Sequence, residues 1–397
     1  MKFTDGYWSV KKEMTPLYAV EYADSRRKGD ELTIYAPAKN IAHRGDSLNL
    51  GMLTIRLSSP MEDVIKVSVV HFEGTAYKGP FAEINQTSPH ISIEETEDFI
   101  TYQSGHTKAV VDKRPNSWGI RFLDGDREMT NTGFRNMANI LNNETGRKYT
   151  VDALAIDVDE YIYGLGERFT PFVKNGQVVD MWNEDGGTAS EISYKNIPFY
   201  ITSKGYGILL DNEGDASYEI ASEKVERIQF SVEGERLDYY VINGHTPKGT
   251  IQKYAELTGK PALPPAWSFG LWLTTSFTTN YDEETTSSFI QGMADRDIPL
   301  HVFHFDCFWM EGFEWCNFVW DPKTFPDPEG MLKRYHQRGL KICVWINPYI
   351  GQKSPLFAEG MEYGYLVKKS NGDVWQTDMW QAGMGLVDFT NPEAVKW

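Results

Sequence analysis

No run of about 18 apolar residues occurs in the 397-residue sequence, so no part of it reads as a membrane-spanning helix. The first residues, Met1 to Trp8, lack the apolar core of a secretory leader. Cysteine is scarce. Cys307, Cys316 and Cys343 are too few, and odd in number, for a disulfide framework, which points to a reducing cytoplasm. Asn85-Gln-Thr87 and Asn143-Glu-Thr145 fit the glycosylation acceptor pattern, but without a leader they read as chance matches. Basic residues are outnumbered, 39 against 56 acidic, for a formal net charge of −17, and the longest basic cluster is Arg26-Arg27-Lys28. Nucleic acid and anionic membranes are therefore poor partners. There is no Gly-x-Ser-x-Gly elbow, and Gly164-Leu-Gly166 lacks the third glycine and the βαβ setting of a nucleotide loop.

What the chain has in excess is aromatic surface: 12 Trp, 21 Tyr and 21 Phe. Flat rings suit the apolar C–H faces of sugars, and they equally suit packing between β-sheets. Composition leaves both readings open.

Residues 1–250 read as an antiparallel β-sandwich. Leu53-Thr-Ile-Arg-Leu57 alternates, Val64 to Phe72 is strongly β-prone, and turns recur at Asp124-Gly125-Asp126 and Ser203-Lys204-Gly205. The glycines of Tyr161-Ile-Tyr-Gly-Leu-Gly-Glu-Arg-Phe169 imply tight backbone geometry or the close approach of another element. Met181-Trp-Asn-Glu-Asp-Gly-Gly187 reads as a loop in which Asp185 either caps its own turn or serves a site, and Tyr194 to Tyr200 returns to strand. A helix over Thr246 to Leu257 leads into the proline-stiffened connector Gly259-Lys-Pro-Ala-Leu-Pro-Pro265.

Residues 251–397 alternate strand with helix. Strands are predicted at Ser268 to Leu273, Leu300 to Phe305 and Lys341 to Ile346, with helices starting at Asn280 and at Asp327-Pro328 and a stop at Gly339. Such βα units make a parallel sheet or barrel. An insertion over about 352–388 carries a hairpin with an Asn371-Gly372 turn, and Asn391-Pro392-Glu393 opens another helix. A (β/α)8 barrel typically takes about 250 residues, so three units predict that the barrel is only begun and the rest is missing.

In this architecture functional groups gather at the carboxyl ends of the strands. That rule selects Phe277, then Asp306 with Cys307 and Phe308, then Trp345 with Asn347. Asp306 ends an apolar run. It either binds a hydroxyl-rich ligand, acts as acid or base, or simply caps the loop that follows. His301, His304 and Cys307, spaced by three along a strand, point to alternate faces and make a poor metal site, so neither metal nor cofactor is expected.

Tyr163-Gly-Leu-Gly-Glu-Arg-Phe169, Trp182-Asn-Glu-Asp-Gly-Gly187, Leu263-Pro-Pro-Ala-Trp-Ser-Phe-Gly-Leu-Trp272, His304-Phe-Asp306 and Val344-Trp-Ile-Asn-Pro348 together resemble glycoside hydrolase family 31, and within it the bacterial α-xylosidases. The resemblance runs through almost the whole chain. It implies an N-terminal β-sandwich followed by the first part of a (β/α)8 TIM barrel with a β-hairpin insertion. It also implies hydrolysis with retention through two aspartates about 5–5.5 Å apart. In the family the nucleophile sits in a motif like Lys-x-Asp-Phe-Gly-Glu. Asp388-Phe389-Thr390 lacks its Lys, Gly and Glu, so no catalytic residue is assigned within the 397 residues and both are expected beyond Trp397.

By the same resemblance Asp306 would bond sugar hydroxyls and Trp345 would form an aromatic wall. Asp185, with Trp182, would reach over the barrel mouth, and Trp380 would line the entrance. Phe277, Cys307 and Phe308 would fill the space of a hexose hydroxymethyl and so favour xylose, a steric sieve worth about 1–3 kcal/mol. The implied substrate is an oligosaccharide with a non-reducing terminal α-xylose, and homo-oligomers are weakly implied. An α-glucosidase, or a non-catalytic sugar-binding chain if the protein ends at Trp397, are the alternatives. The isolated chain is predicted to be inactive and prone to aggregate through exposed apolar edges.

Overall fold

The computed structural model describes every residue except 7–8, 76–78, 80–82, 185–189, 277 and 380. The chain divides into two compact units, Met1–Pro261 and Ala262–Trp397.

In the first unit, strands that alternate apolar and polar residues pack into antiparallel sheets over a shared core. The eight-stranded sheet runs in the order Ile162–Gly164, Phe199–Thr202, Tyr206–Leu210, Arg236–Asn243, Val64–Val70, Met52–Ser58, Glu31–Pro37 and Asp24–Lys28. A six-stranded sheet includes Lys148–Ala155, Ala216–Ile220 and Arg227–Glu233. A five-stranded sheet spans Ile91–Glu95 to Arg127–Thr132 in simple up-and-down order. Leu32, Ile34 and Ala36 point inward at a period of two and meet Tyr218 and Phe230 of the second sheet and Tyr102 and Phe122 of the third in one cluster. Burying each large apolar side chain contributes roughly 1.5–3 kcal/mol, so the sandwich is the main store of stability in this unit. Val64–Val70 is buried on both faces, because Val64 and Ile242 pack instead under Leu257 of the helix Pro247–Thr258. That helix, capped by the Thr246 hydroxyl accepting from the Gly249 N–H, belongs to the first unit.

Glycine marks the tight places. Gly166 has φ of 90°, and a Cβ there would lie 2.0 Å from the Lys195 carbonyl oxygen. The close approach read from this motif is made by the chain leading to Phe199. Tyr194 to Ile197 does not form the expected strand: Asn196 instead donates to the Trp182 carbonyl at 2.9 Å and to the Asn183 side chain at 2.8 Å, which holds these residues in a loop.

The second unit begins a βαβαβ pattern. Trp272–Leu273, Val302–Phe305 and Lys341–Val344 lie side by side in parallel, with helices Glu283–Ala294 and Pro328–Gln337 as the crossovers. The first strand is shorter than Ser268 to Leu273. Ala266–Phe269 is a 3-10 turn, because Ser268 N–H and Gly270 N–H bond back to Pro265 and Trp267 and are lost to the ladder. The first helix is capped by Asp282, whose carboxylate accepts from Thr285 N–H at 2.8 Å, rather than by Asn280. Asp327 caps the second as expected, with Pro328 in its first turn. Between residues 349 and 388, Tyr349–Gly351, Met384–Leu386 and Gln376–Thr377 form a small antiparallel sheet, and a helix unforeseen from the sequence, Pro355–Glu362, packs beside it. The Asn371-Gly372 turn closes the hairpin through Lys369 N–H to Asp373 O at 2.8 Å and the Lys368–Val374 bridge. Among the described residues no helix is long and apolar enough to cross a membrane.

Candidate functional site

Asp306, Cys307, Phe308 and Trp345, singled out by sequence in the second unit, lie at the carboxyl ends of the parallel strands. The middle strand is the best anchored. Phe305 is fully buried, with Phe303, Trp320 and Phe325 edge-on to it at 5.0, 5.4 and 5.7 Å. Such edge-to-face rings lock the strand end, each pair adding about 0.5–1.5 kcal/mol beyond area burial.

Asp306 follows directly. One carboxylate oxygen accepts from the Cys307 N–H at 2.7 Å and so caps the turn Cys307–Trp309. No Lys, Arg or His among the described residues forms an ion pair with this half-buried carboxylate, so it remains suited to a neutral hydroxyl donor. Burial holds the His304 imidazole below its ordinary pKa against the pull of Asp306. Burial, aided by the Asp306 charge, pushes the Cys307 thiol up to about 12. Cys307 is thus a small apolar surface and not a thiolate nucleophile.

Phe308 is half-buried between Tyr281 and Trp315, with ring centroids 6.2 and 6.0 Å away. Trp345 follows the third strand, which stops at Val344 rather than at Ile346. Its N–H donates to Phe305 O at 2.8 Å and its carbonyl accepts from the Trp309 indole N–H at 2.8 Å, so the backbone that carries this half-buried indole is held on both sides. Asn347 accepts from the Cys316 thiol at 2.9 Å and from the Tyr349 N–H at 3.0 Å, closing the turn beyond.

Asp306, Cys307, Phe308 and Trp345 are therefore brought to one edge of one sheet. Asp185, Phe277 and Trp380 lie outside the described residues. Residues that sequence reasoning missed are Tyr281 and Thr275, which both follow the first strand. Each has a buried hydroxyl with no hydrogen-bond partner among the described residues, and burial followed by the Asp306 charge keeps the Tyr281 phenol protonated. A buried hydroxyl after a strand end was a signal available in the sequence, but nothing there showed that it would lack a partner.

In the first unit, Arg168 organises the loop that carries Trp182. Its guanidinium donates to the carbonyls of Leu165 at 3.1 Å, Asp180 at 3.1 Å and Glu191 at 3.0 Å, and to the Asn196 side chain. Trp182 itself is 59% exposed.

Two family models match this chain: the family 31 N-terminal galactose mutarotase-like domain over residues 54–219, and the family 31 TIM-barrel domain over 261–397. The chain belongs to glycoside hydrolase family 31. It is 54% identical over 397 residues to the alpha-xylosidase XylQ of Lactiplantibacillus pentosus, covering 100% of this chain and 52% of that protein. With an alpha-xylosidase of Emericella nidulans it shares 44% over 422 residues, covering 100% and 53%. The chain thus spans about half the length of these curated relatives. Among solved structures, a Flavobacterium johnsoniae family 31 dextranase superposes with a TM-score of 0.78 at 24% identity, over 96% of this chain and 45% of that one. A family 31 alpha-xylosidase from a soil metagenome, complexed with xylose, gives 0.70 at 20%, over 94% and 54%. These likenesses establish the fold: the β-sandwich and the opening units of the barrel.

Proposed function

We propose that this protein is a retaining glycosidase that releases α-linked xylose from the non-reducing end of oligosaccharides, and that these residues supply the non-reacting side of its sugar pocket. The observation that carries the reading is the 54% identity to an alpha-xylosidase along all 397 residues. The strand ends support it: a carboxylate at Asp306 with no ion pair among the described residues suits sugar hydroxyls, and Trp345 offers an aromatic face on an anchored backbone. In this reading Cys307 and Phe308, and Phe277 with them, would take up the volume that a hydroxymethyl would need. Asp185, with Trp182, and Trp380 are further sugar contacts in the same reading. The nucleophile and the acid/base lie outside these residues, so 1–397 alone is inactive. The three thiols are free, which supports a reducing, cytoplasmic setting.

The test is the ratio of kcat/KM for an aryl α-xyloside over the matching α-glucoside, measured on the full-length enzyme. A steric sieve of one hydroxymethyl predicts a preference of roughly 10- to 200-fold for the xyloside. Phe277→Ala should cut that ratio at least tenfold. A native preference for the glucoside would sink the xylose reading. An unchanged ratio in the variant would sink the steric account alone.

A further inference from the structure

In the first unit, four residues from distant parts of the sequence converge. Asp63 lies just before strand Val64–Val70, and His245 just after strand Arg236–Asn243, both of the eight-stranded sheet. His106 sits in the turn between Phe99–Ser104 and Thr107–Asp112, and Asp124 ends Gly119–Asp124, both of the five-stranded sheet. One ligand-type atom each from Asp63, His106 and His245 falls within a 4.8 Å set. His245 Nε2 is 3.7 Å from one Asp63 oxygen and His106 Nδ1 is 4.0 Å from the other. The imidazole rings stand at 89° to one another with centroids 5.5 Å apart, so both face the carboxylate without stacking.

The fourth residue gives the arrangement its meaning. Asp124 Oδ1 lies 2.8 Å from His245 Nδ1. A carboxylate on one ring nitrogen fixes the tautomer and leaves the other nitrogen, here the one facing Asp63, with its lone pair free, as behind metal-bound histidines. Asp63 is held in turn by the His106 N–H, which donates to its Oδ1 at 2.7 Å. The backbone forces the convergence: a Cβ on Gly205 would lie 2.6 Å from the His245 carbonyl carbon, and one on Gly105 would lie 2.6 Å from Asp63 Oδ1.

We propose that Asp63, His106 and His245 bind a divalent ion of the zinc class, with Asp124 as the positioning residue for His245, and that the ion staples the five-stranded sheet to the eight-stranded one. Two imidazoles and one carboxylate are the donor set of zinc, whereas calcium and magnesium take oxygen ligands almost throughout. Metal–ligand bonds of about 2.0–2.2 Å set neighbouring donors somewhat over 3 Å apart. The separations of 3.7 and 4.0 Å need to close by only part of an ångström, and the imidazoles, 76% and 44% exposed, are free to move by that much. Water completes the fourth position.

The experiment is a Zn2+ titration of the metal-stripped, full-length enzyme by calorimetry, repeated with Co2+ to read the visible absorption of a tetrahedral ion. His106→Gln and His245→Asn are the ligand variants, asparagine being chosen because residue 245 has φ of 61°, which it tolerates. The proposal expects one equivalent that is lost in either ligand variant and weakened 10- to 100-fold in Asp124→Asn. Zn2+ should also raise the thermal midpoint of the wild type by several degrees, and of the ligand variants not at all. Binding that persists undiminished in the His106→Gln/His245→Asn double variant, or no saturable binding in the wild type, overturns it. In the latter case the cluster is an ion-pair network only. Because both histidines are exposed and neither is among the residues proposed to hold sugar, xyloside hydrolysis by the variants reports whether they have folded.

Discussion

The indole N–H of Trp309 donates to the backbone carbonyl of Trp345 at 2.8 Å. This bond ties the turn after the second barrel strand to the end of the third, and so fixes the backbone from which the Trp345 indole projects. Trp309 is only 4% exposed and packs edge-on to Trp320 at 5.2 Å. Trp309→Phe keeps most of that packing and removes the donor. An orphaned buried carbonyl costs about 1–3 kcal/mol, which a urea titration should show as a lower midpoint at unchanged slope. If Trp345 walls the pocket, KM for the xyloside should rise as well.

Asp306 performs a cap in the structure and a ligand contact in the proposal, and two substitutions separate them. Asparagine caps as well as aspartate, whereas alanine at such a position costs about 1 kcal/mol. Asp306→Asn should therefore leave the melting midpoint almost unmoved while Asp306→Ala lowers it. Hydrogen bonds to a charged group are worth about 1.5–3 kcal/mol, so both variants should lose roughly 10- to 100-fold in kcat/KM. An asparagine variant with full kcat/KM would reduce Asp306 to a cap.

The strand ends were legible because the rule that selects them is local. An apolar run stops, and the next residue is Asp306; the third run continues through Ile346, whereas its ladder ends at Val344, one residue before Trp345. The sandwich was legible from its alternation and the barrel units from their caps, since Asp327 beside Pro328 signals a helix start by itself. Asn280 misled because it offers the same cap chemistry as Asp282, and two candidates two residues apart look alike until the helix axis is known. Ser268 to Leu273 misled because a hydrophobic run says nothing of where its N–H groups go, and Pro265 and Trp267 took them. Arg168 was beyond reach for another reason: three of its acceptors are backbone carbonyls, which have no signature in sequence. The meeting of His106 with His245, 139 positions apart, depends wholly on sheet topology.

Gly166 and Arg168 make a paired prediction about the loop that carries Trp182. A Cβ at 166 would meet the Lys195 carbonyl oxygen at 2.0 Å with φ at 90°, two penalties that add. Gly166→Ala should destabilise by more than about 3 kcal/mol. Arg168→Lys keeps a charge but replaces a planar fork with a single ammonium. It should preserve the fold, speed amide exchange around Glu191 and Asn196, and leave exchange in the 216–220 strand unchanged. Uniform exchange across both segments would mean that Arg168 supports the sandwich rather than the loop.

Two buried carboxyls set a pH dependence. Burial pushes Glu160 up to about 7, against the pull of the Tyr206 and Thr202 hydroxyls nearby, and it pushes Asp152 up to about 6, against hydrogen bonds from Thr132 and Tyr239. Glu160 is 1% exposed and one of its oxygens has no hydrogen-bond partner among the described residues, although Lys204 Nζ stands 3.8 Å from the other. Both folded-state values lie above the ordinary carboxyl range, so between about pH 4 and 7 the native state keeps protons that the unfolded chain has released. The contribution of these groups is fully present below that range and is lost as pH rises through it. A tenfold difference in proton affinity between the folded and unfolded chain is worth about 1.4 kcal/mol, so Glu160 should account for on the order of 3 kcal/mol. Glu160→Gln stays neutral throughout and keeps an acceptor for the Asp157 N–H, which donates to Glu160 at 3.1 Å. The variant should match the wild type in urea titrations near pH 4.5 and exceed it near pH 8. A constant difference across that range would mean that Glu160 is ionised in the native protein throughout, with Lys204 rather than burial governing it.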